Sequence, residues 1–405
     1  MTVHQVIVVG GGPAGIAAAI AAKRQGLKTL LVEKYGFLGG MATAGLVNPF
    51  MSTLGAGGLY QEFLQRLTEW QAAEEHTFDG ELAKLVLDEW LTEQGVDLLF
   101  HSLLTGVKVE EGRIKSIKVS GRGEELTLPA SYFIDCTGDG DLAALSGVKI
   151  NLGRTSDGLC QPMTTCFQVG GVDDSLMPPR EELTARYKEA KAQGRLHNPR
   201  EDVLWFRTIR PGEIHFNTTR VTGKNPVSLS DLTAAELEAR RQIAELFAWL
   251  RQEVPAFKGA YLLRIAAQIG VRESRTIQGA YRLTEEDVLS GRKFTDAIGK
   301  CSYPIDIHSP SGEGTRIATL APGDWYEIPY GTLHTSTFGN LLVAGRCISS
   351  THEAQASLRI MPTCMVTGQA AGVAAALADA GNLPVSQVSV PELQADLKAA
   401  GADLR

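Results

Sequence analysis

The chain has 405 residues, of which 44% are hydrophobic and 21% charged, with a formal net charge of −7. That length allows two or three cored domains of ordinary globular composition, and the acidic excess without Lys/Arg runs argues against nucleic acid as the main partner. Six cysteines with no CxxC pair signal neither disulfides nor a metal or iron–sulfur site.

The first element predicted is a strand over Gln5–Val9, followed by Gly10-Gly11-Gly12-Pro13-Ala14-Gly15, an apolar helix from Ile16 to Ala22, and a second strand, Thr29–Val32, ending at Glu33. A GxGxxG turn between a strand and a helix is the pattern that binds a dinucleotide pyrophosphate. Gly10 permits the tight turn, Gly12 removes the side chain that would block the phosphates, and Gly15 lets the helix pack on the sheet. Pro13 suits the first helical turn. Glu33 stands at about the 20-residue separation of a ribose ligand, and its charge argues against a 2′-phosphate.

Lys34 to Gly45, including Gly40, Met41, Ala42 and Thr43, is glycine-rich and aperiodic, a loop expected to touch the cofactor again. Amphipathic helices are predicted over Gly58–Glu74 and Gly80–Gln94, then short strands from Val96 to Ile134 turning at Glu110–Gly112 and Gly121–Gly123. The run Tyr132–Asp141 is a buried strand with a glycine turn, a third loop approaching the cofactor. From Asn151 to Thr332 the chain becomes loop-rich, with strands at Cys160–Val169 and Glu213–Thr218 and a long helix at Ala234–Glu253. A buried strand returns at Phe338–Gly345, and an alanine-rich helix runs from Pro362 to Gly381. Residues 1–150 and 333–405 thus form a discontinuous nucleotide domain around a substrate domain at 151–332. No uninterrupted apolar stretch approaches the roughly 18 residues of a membrane span. The N-terminus lacks a secretory pattern, so a cytoplasmic protein without membrane contact is expected.

The N-terminal GxGxxG with Glu33, the doublet Gly39-Gly40 and the late strand Asn340–Arg346 together resemble FAD-dependent oxidoreductases of the glutathione-reductase type. Gly270–Arg275 and Gly345–Ser349 resemble the FAD-dependent oxidoreductase family more narrowly. The resemblance implies an α/β fold, a Rossmann-like FAD-binding domain with a parallel sheet, carrying an inserted α+β substrate domain. It implies FAD as the cofactor, with the ribose on Glu33 and the pyrophosphate on Gly12, Ala14, Gly15, Gly40, Met41 and Thr43. Adenine would meet backbone near Val107, with Thr137 and Gly138 on the same side and Gly345 and Arg346 at the ribityl phosphate. Many relatives carry aspartate where this chain has Arg346. The helix start at Pro362, with the amides of Thr363, Cys364 and Met365, would face the flavin N1 and C2 carbonyl.

Catalytic candidates lie in the second half. His308, with Asp306 on the same strand face to orient it, and His352, just after the cofactor strand, could take a substrate proton. His215 and His334 read as structural. Arg272, Arg275 and Arg359 are candidates for a substrate anion or for the pyrophosphate, with interdomain salt bridges as the alternative. Tyr330 could donate to a substrate oxygen, and a helix start would lower the pKa of Cys364. The function expected is hydride transfer between a small polar substrate and flavin N5. An NAD(P)H-driven reductase or monooxygenase and a non-enzymatic electron carrier are the competing readings. The electron acceptor and oligomeric state, a homo-oligomer included, are left open, as is covalent attachment of the flavin.

Overall fold

In the computed structural model, residues 3–312 and 314–405 are described. Five parallel strands make the central sheet, in the order Asp97–Leu99, Thr29–Val32, His4–Val9, Glu124–Asp135 and Leu341–Val343. Two antiparallel strands, Leu103–Glu110 and Arg113–Gly121, extend from the Glu124–Asp135 strand, with the turns where the sequence places them. The last parallel strand comes from more than 200 residues later in the chain, so the sheet is closed by C-terminal sequence. Asn340 fixes that return: its Nδ2 donates to the carbonyls of Ile114 and Ser131, each at 2.8 Å, and its Oδ1 accepts from the Ile114 amide at 2.9 Å.

Alternation along the first strand explains the layering, because successive side chains leave opposite faces of a strand. Val6 and Val8 enter one buried cluster with the helices Pro13–Arg24, Gly80–Glu93 and Met361–Gly381. Ile7 and Val9 enter a second cluster, with Phe133, Ile117 and Leu142 on the other face. The helix Met361–Gly381 is long and apolar enough to cross a membrane, which the sequence reading did not anticipate, but 94% of its apolar window is buried inside the protein. It lies against the first helix at close range, since a Cβ on Gly368 would sit 2.1 Å from the Ala14 carbonyl oxygen.

The covering layer has a four-stranded sheet in the order Trp205–Arg207, Ile214–Phe216, Phe167–Gly170 and Tyr261–Ile265. Its core packs Phe167 and Phe216, stacked at 4.9 Å, against Tyr187 and Leu246 of the helices Arg180–Ala192 and Leu229–Glu253. The long helix starts five residues earlier than its apolar periodicity suggests, because Ser228 caps it by accepting from the Asp231 amide. Residues 275–332 behave differently from the rest of the expected insert. Ile298, Cys301, Tyr326 and Ile328 join the cluster of the first and last long helices, so this segment packs with the nucleotide layer.

Candidate functional site

The first turn has the geometry its glycines require. Gly10 has φ +100°, and a Cβ there would lie 2.5 Å from the Cys136 carbonyl oxygen. A Cβ on Gly15 would lie 1.8 Å from the Gly10 carbonyl oxygen, which rules out any side chain. Glu33 is buried, and its two carboxylate oxygens accept from the amides of Gly11 (2.6 Å) and Tyr35 (2.9 Å). Burial pushes its pKa up against those hydrogen bonds.

A cleft of about 240 Å³ runs from this turn toward the start of the last long helix. Gly10, Gly12, Pro13, Ala14, Glu33, Lys34, Gly40, Met41, Thr137, Gly138, Gly345, Arg346 and Cys364 all line it. The remaining sequence candidates do not. Gly15 packs beneath the turn, and Ala42 and Thr43 turn inward, with Thr43 Oγ1 donating to the Leu38 carbonyl at 2.6 Å. Val107 pairs with Ile117 and packs on the sheet core; Leu103 and Leu104, not Val107, edge a separate small pocket beside Glu33. Tyr35 Oη bonds Gln268 Oε1 across the cleft mouth, joining the two layers.

The late helix begins at Met361, one residue before the proline. Cys364 N therefore bonds the Ile360 carbonyl at 3.0 Å, Met365 lies inside the helix, and only Met361 and Thr363 keep amides without intrahelical partners. The Cys364 thiol is no thiolate: burial pushes its pKa up to about 12, and Sγ donates to the Arg359 carbonyl at 3.4 Å. Thr363 Oγ1 turns to Cys301 Sγ at 3.4 Å. Arg346 also departs from expectation. It is held by the Gly138 carbonyl (2.8 Å), the Val271 carbonyl and Asp139 Oδ1 (2.6 Å), and so ties the covering segment to the nucleotide turn.

A second cavity, of about 380 Å³, adjoins the cleft. The two share Met41, Val271, Arg346, Arg359 and Met361 as lining residues. Asp306 is the hub of its polar wall. Its Oδ2 takes the Tyr303 hydroxyl at 3.3 Å and lies 3.7 Å from both Arg359 Nη2 and His308 Nε2. Burial pushes the Tyr303 phenol up to about 12, so it stays protonated.

His308 is brought into the cavity, but in a different state from the expected proton acceptor. Arg220 Nη2 lies 3.2 Å from its Nδ1, and a guanidinium can only donate, so Nδ1 accepts and the proton resides on Nε2. Burial, then the positive charge of Arg272, Arg359, Arg200 and Arg220, drives its pKa well below 6.5. Asp306 does not orient it by a hydrogen bond, since 3.7 Å is too long.

His352 lines neither cavity. It lies behind the wall, with Nδ1 2.7 Å from Glu273 Oε1, while Glu273 Oε2 accepts from the Gln161 amide at 2.8 Å. Tyr330 is likewise away from the site; buried in the nucleotide layer, it donates to the Val385 carbonyl at 2.7 Å. Arg275 is an interdomain bridge to Asp141, whereas Arg272 and Arg359 do line the cavity. His215 and His334 are buried outside it, and burial alone pushes His215 down to about 3. Sequence reasoning missed Arg200, Tyr303 and the place of Asp306 at the centre of the polar wall. Arg200 sits in a charged loop between prolines and cap strands that reads as solvent-facing, and only tertiary packing turns it inward.

The sheet order, the glycine turn and the cleft under a covering layer define a dinucleotide-binding protein of the Rossmann type. The family model described as FAD dependent oxidoreductase matches residues 5–397, and the chain belongs to that family, whose cofactor is FAD. It is similar to leghemoglobin reductase of Glycine max, 32% identical over 158 residues, covering 36% of this chain and 29% of that protein. Digeranylgeranylglycerophospholipid reductase of Methanocella arvoryzae is 29% identical over 174 residues, covering 37% of this chain and 41% of that one. The chain thus matches less than half the length of each of these relatives. Among solved structures, a triple-mutant form of the flavin-dependent brominase Bmp2 superposes with a TM-score of 0.50, at 14% identity, over 98% of this chain and 84% of that one. CabE, an aromatic hydroxylase from angucycline biosynthesis, gives 0.50 at 15% identity over 99% and 70%. These two establish the shared fold.

Proposed function

We propose that this enzyme transfers a hydride between a small polar organic substrate in the larger cavity and flavin N5, as a dehydrogenase or oxidase. The observation that supports this reading is the shared boundary of the two cavities: Arg359, 3.7 Å from Asp306, lines the cleft as well as the larger cavity.

When bound, FAD supplies the two-electron acceptor or donor. Glu33 accepts from ribose hydroxyls through the lone pairs its two amide donors leave free. The turn at Gly12 and the loop at Gly40 and Met41 admit the phosphates close to backbone; the nearest atom a Cβ on Gly12 would meet is Gly40 Cα, at 3.8 Å, so the cradle is open. The amides of Met361 and Thr363, with the helix dipole, favour negative charge at the inner end. Asp306 Oδ2 takes the proton that leaves a substrate hydroxyl or amine, and His308 Nε2–H donates a hydrogen bond.

The test is anaerobic mixing of the FAD-loaded enzyme with panels of alcohols, amines and acids, followed at the flavin absorbance. A donor that bleaches the flavin should do so about 100-fold or more slowly in Asp306→Asn with FAD still bound. Bleaching by NADH or NADPH and by no organic donor would replace this reading with that of a reductase or monooxygenase.

A further inference from the structure

We infer that the larger cavity selects an organic carboxylate with an apolar body, held by Arg272 together with Arg359 and Arg200. This rests on the oxidoreductase reading above and names the substrate class of the same chamber.

The charges around the cavity do not balance. Arg346 is paired with Asp139 (2.6 Å), Arg220 with Glu201 (2.7 Å) and Arg200 with Asp202 (2.7 Å). Arg359 has only a loose partner, Asp306 at 3.7 Å. Arg272 has no carboxylate within 4 Å among the described residues. Its bonds go to neutral acceptors: the Pro162 carbonyl (2.8 Å), Thr164 Oγ1 (2.7 Å) and Asn217 Oδ1 (3.5 Å). Among the described residues that line the cavity, the four guanidinium groups of Arg200, Arg272, Arg346 and Arg359 stand with the three carboxylates of Glu201, Asp202 and Asp306, an excess of one positive charge.

Burying an uncompensated cation is costly, and such groups are normally paired. Burial, followed by repulsion from Arg359 and Arg200, brings the Arg272 guanidinium down to about 9. Two neighbouring atoms are unmatched as well. Arg200 is 4% exposed with Nη1 lacking any partner, and Arg359 Nε is buried without one. A carboxylate in the cavity offsets that excess charge beside the three arginines that line it, in the planar, bidentate geometry guanidinium prefers.

The rest of the wall sets the body of the molecule. Met51, Leu204, Phe206, Ile317 and Ile360 line the same cavity and offer no hydrogen bonds from their side chains. Single-ring or short-chain acids fit about 380 Å³.

The experiment is calorimetric titration of the purified enzyme with phenylacetate, phenylacetamide and phenyl phosphate, with flavin content read by absorbance in the same sample. Phenylacetate should bind and perturb the flavin spectrum, with the amide weaker by about 10- to 100-fold. Arg272→Gln should weaken phenylacetate to the level of the amide, and Arg272→Lys should restore part of the difference. Equal binding of acid and amide by the unaltered enzyme, or no binding of the acid, overturns the inference without need of a variant that folds. Tighter binding of phenyl phosphate overturns the carboxylate assignment. Heat from phenylacetate in a sample that holds no flavin would uphold the anion subsite while the oxidoreductase reading fell.

Discussion

His308 shows how a residue can be legible while its role is not. Its place in a short strand beside Asp306 marks it as a site residue, and it does line the cavity. What decides its chemistry is tertiary packing: Arg220, 88 residues away in sequence, fixes the tautomer, while burial and then Arg272, Arg359, Arg200 and Arg220 suppress the charge. With ¹⁵N-labelled histidine, the His308 ring should keep one protonated and one unprotonated nitrogen as the pH is lowered from 8 through the usual titration near 6.5. Convergence of both nitrogens to the protonated value near pH 6.5 would contradict the assignment. Glu33 and Gly12 were readable because a dinucleotide demands them at fixed spacing. Arg200, Tyr303 and the Arg346–Asp139 tie were not, since their roles depend on which distant segments pack against them.

Among the elements, the two long helices of the nucleotide layer carry the most exacting fit. Gly368 and Gly372 lie one turn apart and face Ala14 and Ala18 of the first helix, where added Cβ atoms would stand 2.1 and 2.4 Å from carbonyl oxygens. The pair is a contact surface made of small side chains, so the helix axes approach closely and overpacking forces them apart. Gly368→Val should lower stability by about 3 kcal/mol, read as a fall in the urea midpoint with the m-value unchanged. A midpoint equal to that of the unaltered protein would show that the helices have room to separate. The sequence made this helix visible through its alanine run. Its first turn was placed one residue late, because proline is tolerated at the second helical position as well as the first.

At the level of the whole molecule, acid titration probes the junction between sheet and cleft. Asp135 is fully buried at the end of a central strand and accepts from Thr137 N, Thr137 Oγ1 and Ala143 N at 2.7 to 3.0 Å. Burial outweighs these bonds and raises its pKa to about 6. Between the unfolded value of about 4 and this one, the folded chain retains a proton the unfolded chain has lost, so this residue's contribution to stability falls as pH rises. Its share should approach about 1.4 kcal/mol per pH unit in that window and vanish above it. The difference in unfolding free energy between the protein and Asp135→Asn, measured from pH 4 to 8, should show that slope; a flat difference would mean the carboxyl is ionised throughout. The parallel sheet and its late closing strand were legible from buried hydrophobic runs with glycine turns. The return of residues 275–332 to the nucleotide layer was not, because its short strands look like those of the cap.

The residues common to both cavities have one more consequence. Since Met41, Val271, Arg346, Arg359 and Met361 line both spaces, a group seated in the cleft and a substrate in the cavity lie against the same side chains. A flavin held in the cleft would bear on those shared side chains, so the shape a substrate meets would depend on the cofactor. Ligand preferences measured on flavin-free protein would then describe a different receptor from the working enzyme, and a flavin analogue altered at the ring would alter selectivity with every amino acid unchanged.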